Sequence, residues 1–348
     1  MQDPERPPPA GLQRFQKVCV VGAGAVGGFL GVSLASGADV ALSAVARGRT
    51  LAALQGRGWT LQRAGEPIHA PVRAVADPRD LGQQDLVIIA VKAPALPAVA
   101  PLLAPLLGPR TVILPALNGV PWWFTAALAD AGTLASVDPD GVVAASLPFD
   151  AVIGAVVYPS CSSPEPGTSR HHSGSRLVFG EVAGRPAPQS DRLRALVALF
   201  RAAGLAAEDS TDIRTEVWAK LLGNACFNPV SLVTGSATDL MIDDPGIHAL
   251  FETMMSETIA VGRALGIDVA TRPAERIALT RKLGHVKTSM LQDVEAGKPV
   301  ELDAILGAVI ELASRSGIRT PANENVYALA RMRAMTLGLF PQRTQSAV

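Results

Sequence analysis

The sequence predicts an α/β protein in which an N-terminal domain built on a parallel sheet is followed by an all-α C-terminal domain. Three observations indicate this. Short apolar runs at Lys17 to Val21, Asp85 to Val91 and Thr111 to Leu114 alternate with helical patterns, as in parallel sheets crossed by helices. A glycine-rich turn directly follows the first run. From Asp191 onward, apolar residues recur at helical spacing.

The expected elements follow in order along the chain. The first strand leads to a helix at Phe29 to Ser36, a strand at Asp39 to Val45 and a helix from Thr50. Later strands are expected at Val152 to Pro159 and Leu177 to Gly180, separated by an exposed loop at Ser160 to Ser175 that lacks apolar periodicity. Ser190 is the predicted N-cap of the next helix. The remaining helices are expected at Ile213 to Phe227, Ile247 to Leu265, Ala274 to Leu283 and Glu301 to Ser314.

Composition and charge narrow the class of protein. The 348 residues suit two domains, and 31 basic residues balance 31 acidic residues, which argues against nucleic acid or an anionic membrane as partner. Cys19, Cys161 and Cys226 lie too far apart for a zinc site or a disulfide framework, and they suit a reducing cytoplasm. We therefore expect no metal.

Domain boundaries follow from these patterns. Residues 1–16 are rich in proline and charge and lack the apolar core of a signal peptide, so we expect a disordered lead-in. We expect a first, α/β domain at residues 17–208 and a second, helical domain at residues 209–340. Residues 18–38 carry no charge and are long enough for a membrane helix, but their repeated glycines favour a strand, a turn and a helix.

The glycine turn matches G-x-G-x-x-G between a strand and a helix. Gly22 would permit the tight turn, Gly24 would let the backbone approach a pyrophosphate, and Gly27 would let the helix pack on the strand. The helix N-terminus, at Ala25 and Val26, would offer N–H groups to the phosphates. A glycine-rich turn without a ligand is the alternative, but the strand–turn–helix context favours a Rossmann dinucleotide-binding domain.

The residues after the second predicted strand favour NADPH over NADH. An NAD enzyme usually carries Asp or Glu about 20 residues after the turn, where it holds the ribose hydroxyls. Residues 43–49 (SAVARGR) contain no acid, whereas the Arg47 guanidinium could bind a 2′-phosphate and stack on adenine. The alternative is that Arg47 and Arg49 are solvated loop charges.

Two polar residues follow consecutive buried strands. Lys92 closes the strand at Asp85 to Val91, and Asn118 follows the next strand in the same relative place. Ligands bind at the carboxyl ends of parallel strands, so Lys92 is expected near the ligand, and Asn118 could hold the nicotinamide ribose or an active-site lysine. The alternatives are an amine that merely reaches solvent and an ordinary Asn-Gly turn.

Three polar residues are predicted to line one helix face. Lys220, Asn224 and Asn228 are spaced i, i+4 and i+8 among apolar neighbours. They must either hydrogen-bond internally or face a cleft. A lysine in a partly dry site can have a lowered pKa and donate a proton, which carbonyl reduction requires because hydride addition leaves an alkoxide.

Glu301 lies near a predicted helix start, where a carboxylate is already favoured. A role in the site and a role as dipole partner or capping-box residue both remain open. His285, and the loop pair His171 and His172, have no partners at ligand or triad spacing, so they receive no role.

Together these residues resemble the ketopantoate reductases (2-dehydropantoate 2-reductases) from about Lys17 to Leu329. The resemblance rests on motifs whose order and spacing both agree, including the arginine after the second strand, GAGAVGG (22–28), VKA (91–93), LNGV (117–120), KLLGNACFNPVS (220–231) and SMLQDVEAGKPVELD (289–303). It implies a Rossmann domain, a helical domain with the site in the cleft between, and NADPH-dependent reduction of ketopantoate to pantoate on the route to pantothenate.

The resemblance also implies residue roles. Lys220 would be the general acid, with Glu301 as the other catalytic residue. Asn224, Asn228 and Glu301 would bind the substrate hydroxyl, and Ser289 would contact its carboxylate. Lys92 and Asn118 would contact cofactor and active site.

The chain departs from the family pattern in two places. Val286 stands where the family often has an asparagine that helps bind substrate, and nearby Lys287 could supply a cation for the carboxylate instead. The segment 122–175 is longer than in compact members. The expected partner is therefore a small 2-oxo acid, with ketopantoate as the best single candidate and another 2-oxo acid as the first alternative. A dinucleotide-binding regulator without catalysis is the second. A homodimer is compatible with the sequence, which does not fix the oligomeric state.

Overall fold

The computed structural model describes residues 13–126, 128, 132–182 and 190–340. They form two compact units, each discontinuous in sequence. The first unit contains the described residues up to Val91 together with Leu102–Ala116 and Leu147–Ile213, and the second contains Lys92–Pro101, Leu117–Ser146 and the described residues from Arg214. The chain thus passes from the first unit to the second three times, each time shortly after a strand.

Twelve strands are described, and their bounds are β1 (Lys17–Val21), β2 (Ala41–Val45), β3 (Trp59–Gln62), β4 (Ile68–Ala70), β5 (Arg73–Val75), β6 (Leu86–Ile89), β7 (Val112–Pro115), β8 (Ile153–Val157), β9 (Ser160–Glu165), β10 (Thr168–Ser173), β11 (Arg176–Glu181) and β12 (Ala206–Asp209). The main sheet has the order β5-β2-β1-β6-β7 and is parallel throughout, which confirms the predicted sheet. Its strand β6 is buried at every residue, as expected for a strand covered on both faces.

The order of this sheet creates a switch point at β1. From β1 the chain passes to β2 on one side and later returns to β6 on the other. Such a reversal opens a crevice at the carboxyl ends of the strands, where ligands of doubly wound sheets bind. The glycine turn that follows Val21 lies at this position.

Two smaller sheets complete the first unit. One has the order β12-β11-β8, and an isolated parallel bridge between Ile113 and Val152 links the start of β8 to β7. The other has the order β4-β3-β10-β9 and packs against helix α1 (Ala25–Gly37). The exposed loop predicted at Ser160 to Ser175 is therefore wrong, because this segment forms the hairpin β9–β10. Its polar residues show no apolar alternation that would indicate strands. Its pairing with β3 involves residues about a hundred positions earlier in the chain.

The other helices are α2 (Gly48–Arg57), α3 (Leu96–Val99), α4 (Val142–Ser146), α5 (Asp191–Ala202), α6 (Ile213–Thr234), α7 (Thr238–Asp243), α8 (Pro245–Ala264), α9 (Pro273–Arg281), α10 (Ser289–Glu295), α11 (Ala308–Arg315) and α12 (Pro321–Thr336). A π-helical turn, Asp303–Gly307, precedes α11. Ser190 caps α5 as predicted, accepting the Leu193 N–H at 3.2 Å. Helix α6 runs past Pro229, beyond its predicted end at Phe227, because buried Val230 and Leu232 extend its apolar packing.

The second unit is helical, as predicted. Helix α8 packs against α7, α9, α11 and α12. None of the described helices is both long and apolar enough to span a membrane.

The described residues begin before β1. Residues 1–12 of the expected lead-in lie outside the described residues. Phe15, however, is buried in the core, and the backbone N–H groups of Gln16 and Lys17 donate to the Asp85 carboxylate at 2.9 and 2.8 Å. The expected disordered lead-in therefore does not extend to residue 16, because an aromatic side chain and a shared carboxylate fix its end.

Candidate active site

The glycine turn in the first unit leaves no room for side chains at two of its positions. Gly22 has a φ of 101°, and a Cβ there would lie 2.6 Å from the Ala90 carbonyl carbon. A Cβ at Gly27 would lie 2.2 Å from the Gly22 oxygen. A Cβ atom does not make non-bonded contacts this short, so both glycines are required by the packing of α1 on the strands β1 and β6.

Gly24 differs from its neighbours, because a Cβ there would meet nothing within 4 Å. Packing inside the protein therefore does not require glycine at this position. Gly24 is also the N-cap of α1, and no side chain caps this helix. The first N–H groups of the 13-residue helix, at Ala25 and Val26, have no partners within the helix. Open space beside a glycine, at an uncapped helix N-terminus, fits the pyrophosphate of a dinucleotide.

Arg47 lies just beyond β2 and is the N-cap residue of α2. It is exposed, as is Arg49, and neither side chain makes a hydrogen bond or ion pair within the described part of the chain. An arginine with no internal partner at this place is what binding of a 2′-phosphate requires.

In the second unit, Lys220 and Asn118 are joined directly. The Lys220 Nζ donates to the Asn118 Oδ1 at 2.8 Å. The turn that carries Asn118 is fixed by its next two residues: Gly119 has a φ of 81°, and the Val120 N–H donates to the Ala304 oxygen at 2.7 Å. A Cβ at Gly119 would lie 2.3 Å from that same oxygen. Asn118 therefore belongs to a turn that packs against the π-helical turn Asp303–Gly307. π-Helical turns are often found at functional sites.

The surroundings of Lys220 make its ammonium group a stronger acid than that of an ordinary lysine. Burial lowers the pKa of Lys220 from 10.5 to about 8, although the negative charge of Glu301 partly opposes this shift. Burial lowers a lysine pKa because the charged form loses its hydration. Lys220 is therefore mostly protonated at neutral pH and close to the point at which it can release its proton.

Lys92 lies between two carboxylates of the second unit. Its Nζ is 2.6 Å from Asp293 Oδ2 and 3.2 Å from Glu301 Oε2, and the other oxygen of Glu301 accepts the Ala93 N–H at 2.9 Å. The Glu301 side chain is only 5% exposed. Burial lowers the pKa of Lys92, but the Glu301 and Asp293 carboxylates outweigh it and raise that pKa above its usual value. Both oxygens of the buried Glu301 side chain are thus hydrogen-bonded.

The remaining predicted residues lie on α6 and α10. The Asn228 Nδ2 donates to the Ser289 Oγ at 3.5 Å, a long hydrogen bond. Nearby, the Ser231 Oγ donates to the backbone oxygen of Asn228 at 2.8 Å. The same Oγ lies 2.5 Å from the Thr288 Oγ1, and this contact fixes the start of α10 against α6. Asn224 is half-buried, and its side chain makes no hydrogen bond within the described residues. Asn224 and exposed Ser289 are therefore available to a ligand.

Lys287, suggested as a substitute cation for the missing asparagine at position 286, is engaged by another residue. Val286 is 37% exposed, and the Lys287 Nζ is paired with Glu295 at 2.7 Å in an exposed ion pair. The Lys287 cation is already matched by a neighbouring carboxylate, so the structure gives no support to its proposed role at the substrate.

Sequence reasoning missed Asp293, which lies within a quoted motif but received no role. It is spaced i+4 from Ser289 on α10, so both residues share one face of that helix. That spacing is the signal that could have revealed it. Its partner Lys92 lies 201 residues earlier, and no local pattern indicates such a pairing.

Comparison with known proteins identifies the family. The ketopantoate reductase PanE/ApbA model matches residues 18–184, and the model of its C-terminal domain matches residues 212–334. A Mesorhizobium japonicum protein named 2-dehydropantoate 2-reductase is 41% identical over 327 residues, covering 93% of this chain and 99% of that relative.

Solved structures agree with this result. The crystal structure of a Ralstonia solanacearum MolK2 protein, assigned as a ketopantoate reductase, has a TM-score of 0.89 and 44% identity, covering 94% of this chain and all of that one (100%). A PanE/ApbA family ketopantoate reductase from Ralstonia eutropha JMP134 has a TM-score of 0.79 and 28% identity, covering 93% and 100% of the two chains. The chain described here belongs to the ketopantoate reductase family, whose members are oxidoreductases acting on a CH–OH group.

Proposed function

We propose that the chain catalyses the NADPH-dependent reduction of ketopantoate to pantoate, a step of pantothenate biosynthesis. The observation that carries this proposal is the hydrogen bond between Lys220 and Asn118, with the pKa of Lys220 lowered to about 8 and Glu301 close enough to influence it. A lysine in this state suits proton donation to an alkoxide. Relatives named 2-dehydropantoate 2-reductase support the choice of substrate.

The cofactor would be held by the first unit. Gly22, Gly24 and Gly27 shape the turn, and the N–H groups of Ala25 and Val26 would bind the pyrophosphate. Arg47 would bind the 2′-phosphate, since no acid stands at the end of β2 to hold free ribose hydroxyls. When bound, the nicotinamide ring supplies the hydride that adds to the carbonyl carbon of the 2-oxo acid and is itself left oxidised.

Lys220 would complete the reduction. Hydride addition breaks the carbonyl π bond and places its electron pair on oxygen, giving an alkoxide. The Lys220 ammonium donates a proton to that oxygen and becomes a neutral amine, which solvent reprotonates. Asn118 accepts a hydrogen bond from Nζ and so orients the donor.

The substrate would be bound by polar side chains of the second unit. Asn224 and Asn228 would hydrogen-bond the hydroxyl groups, and Ser289 would contact the carboxylate. Glu301 would accept a hydrogen bond from a substrate hydroxyl, and we propose it as the second catalytic-site residue. Lys92 would contact the cofactor, and its ammonium group pairs with the Glu301 carboxylate.

In terms of sequence, we propose that residues 17–208 provide the cofactor domain and residues 209–340 the substrate and catalytic domain. Lys92 and Asn118 fall within the first range but belong to the second compact unit. Assembly as a homodimer and location in the cytoplasm stay predictions.

The test is a steady-state assay with purified protein and ketopantoate, in which NADPH or NADH is oxidised. We expect one pantoate to form for each NADPH consumed, with kcat/KM for NADPH well above that for NADH. Turnover with NADH at an equal kcat/KM would contradict the cofactor assignment. Nucleotide binding without any product would favour the alternative that the chain is a non-catalytic, dinucleotide-binding regulator.

A further inference from the structure

A buried serine of the hairpin β9–β10 hydrogen-bonds to the backbone of the glycine turn. Ser169 on β10 is 0% exposed, and its Oγ donates to the Gly24 oxygen at 3.1 Å. The same oxygen accepts the Gly28 N–H at 2.9 Å, which is the first hydrogen bond of α1. The carbonyl of Gly24 thus receives two donors, one from its own helix and one from a different sheet.

This arrangement accounts for the fourth glycine of the motif. G-x-G-x-x-G does not require glycine at position 28, yet a Cβ on Gly28 would lie 1.8 Å from the Ser169 Oγ and 2.4 Å from the Trp59 Nε1. Two residues beyond Ser169, the His171 ring stacks on Phe29 of α1, with ring centroids 4.8 Å apart. The small sheet is therefore seated directly against the first turn of α1.

We infer that Ser169 is a positioning residue for dinucleotide binding, acting through the peptide that joins Gly24 to Ala25. A carbonyl that accepts a hydrogen bond polarises its own peptide, so the N–H on the opposite side of that peptide becomes a stronger donor. Here that N–H belongs to Ala25, at the uncapped start of α1 beside the open space at Gly24. Ser169 thus strengthens a donor aimed at the pyrophosphate without touching the nucleotide. The inference rests on the proposed function, since it presumes a dinucleotide at this turn.

The experiment is isothermal titration of the full chain and its Ser169→Ala variant with NADPH and with adenosine 2′-phosphate, which lacks the pyrophosphate. Weakening the single hydrogen bond from the Ala25 N–H to a charged phosphate by about 10–30% should raise the Kd for NADPH by up to about fivefold. The Kd for adenosine 2′-phosphate should not change. In the assay, KM for NADPH should rise while kcat at saturating NADPH stays at the wild-type value.

Ser163→Ala is the matched control. It removes a hydroxyl from the same hairpin, where, among the described residues, Ser163 bonds only to the backbone oxygens of Thr168 and Glu165, at 3.2 and 3.4 Å. This variant should bind both ligands as the wild type does. Circular dichroism and thermal melting check that each variant is folded.

The outcomes separate the two proposals. An unchanged Kd for NADPH in Ser169→Ala would overturn the inference and leave the proposed function standing. An equal loss of affinity for both ligands would also overturn it, because it would indicate a loosened fold. If the wild-type chain bound neither NADPH nor NADH, the proposed function would fail and the inference with it.

Discussion

The lowered pKa of Lys220 predicts that reduction fails above neutral pH. The proton donor must be protonated, and a lysine whose pKa is about 8 is about nine-tenths protonated at pH 7 and about one-tenth at pH 9. Turnover in the direction of reduction should therefore fall about tenfold between these two pH values. A lysine at the usual 10.5 would remain protonated throughout and give a flat profile.

The assay is kcat for NADPH oxidation with saturating 2-oxo acid, measured at close pH intervals for the wild type and for Lys220→Ala. The variant should lose about 10²- to 10⁴-fold in kcat, the usual contribution of a general acid, while its Kd for NADPH is unchanged. Lys282→Ala removes an exposed lysine of the same unit and serves as control. Near-normal turnover of Lys220→Ala, or a wild-type profile flat from pH 7 to pH 9, would refute the role of Lys220.

Glu301→Gln extends this test. The Glu301 charge raises the pKa of Lys220 against the effect of burial, so its removal should lower that pKa further. The alkaline limb of the profile should then move to lower pH. A limb that stays in place, or moves to higher pH, would show that Glu301 does not act on the proton donor through its charge.

Three further predictions concern other parts of the two units. Arg47→Asp should raise the Kd for NADPH by about tenfold or more, which is the effect of losing a hydrogen bond to a charged group, and should raise the Kd for NADH far less. Equal losses of affinity for both nucleotides in a fluorescence titration would argue against a 2′-phosphate site. Lys92→Met leaves the buried Glu301 carboxylate without its cation and should lower the free energy of unfolding, measured in a urea titration, by about 1–3 kcal/mol. An unchanged midpoint of unfolding would mean that solvent replaces the Lys92 ammonium group. Gly119→Ala places a Cβ 2.3 Å from the Ala304 oxygen, so it should lower kcat through displacement of the Asn118 turn; wild-type kcat would show that the docked turn does not position the donor.

Local patterns were sufficient to predict the sheet and the polar face of α6. The glycine turn, the buried strand β6 and the i, i+4, i+8 spacing of Lys220, Asn224 and Asn228 are each contained in a short stretch of sequence. Backbone geometry then fixes which side such residues face. For the same reason Ser190 could be identified as an N-cap from its position alone.

Other features depend on partners far away in the chain. Strand β10 pairs with β3, and its polar residues carry no alternation that would reveal a strand. Asp293 and Glu301 share Lys92 across more than 200 residues, with separations of 201 and 209. The support that Ser169 gives to Gly24 spans 145 residues. Such contacts arise only when the fold brings separate elements together, and a single sequence holds no local trace of them.

The most direct test of the proposed reduction of ketopantoate is the substrate preference of the wild-type enzyme. Steady-state NADPH oxidation should be measured with ketopantoate and with a panel of other 2-oxo acids at equal concentration. We predict that ketopantoate has the highest kcat/KM by a large factor, with Val286 tolerated where the family often has an asparagine. A higher kcat/KM for another 2-oxo acid would contradict the assignment of the substrate and direct attention to the residues around Val286.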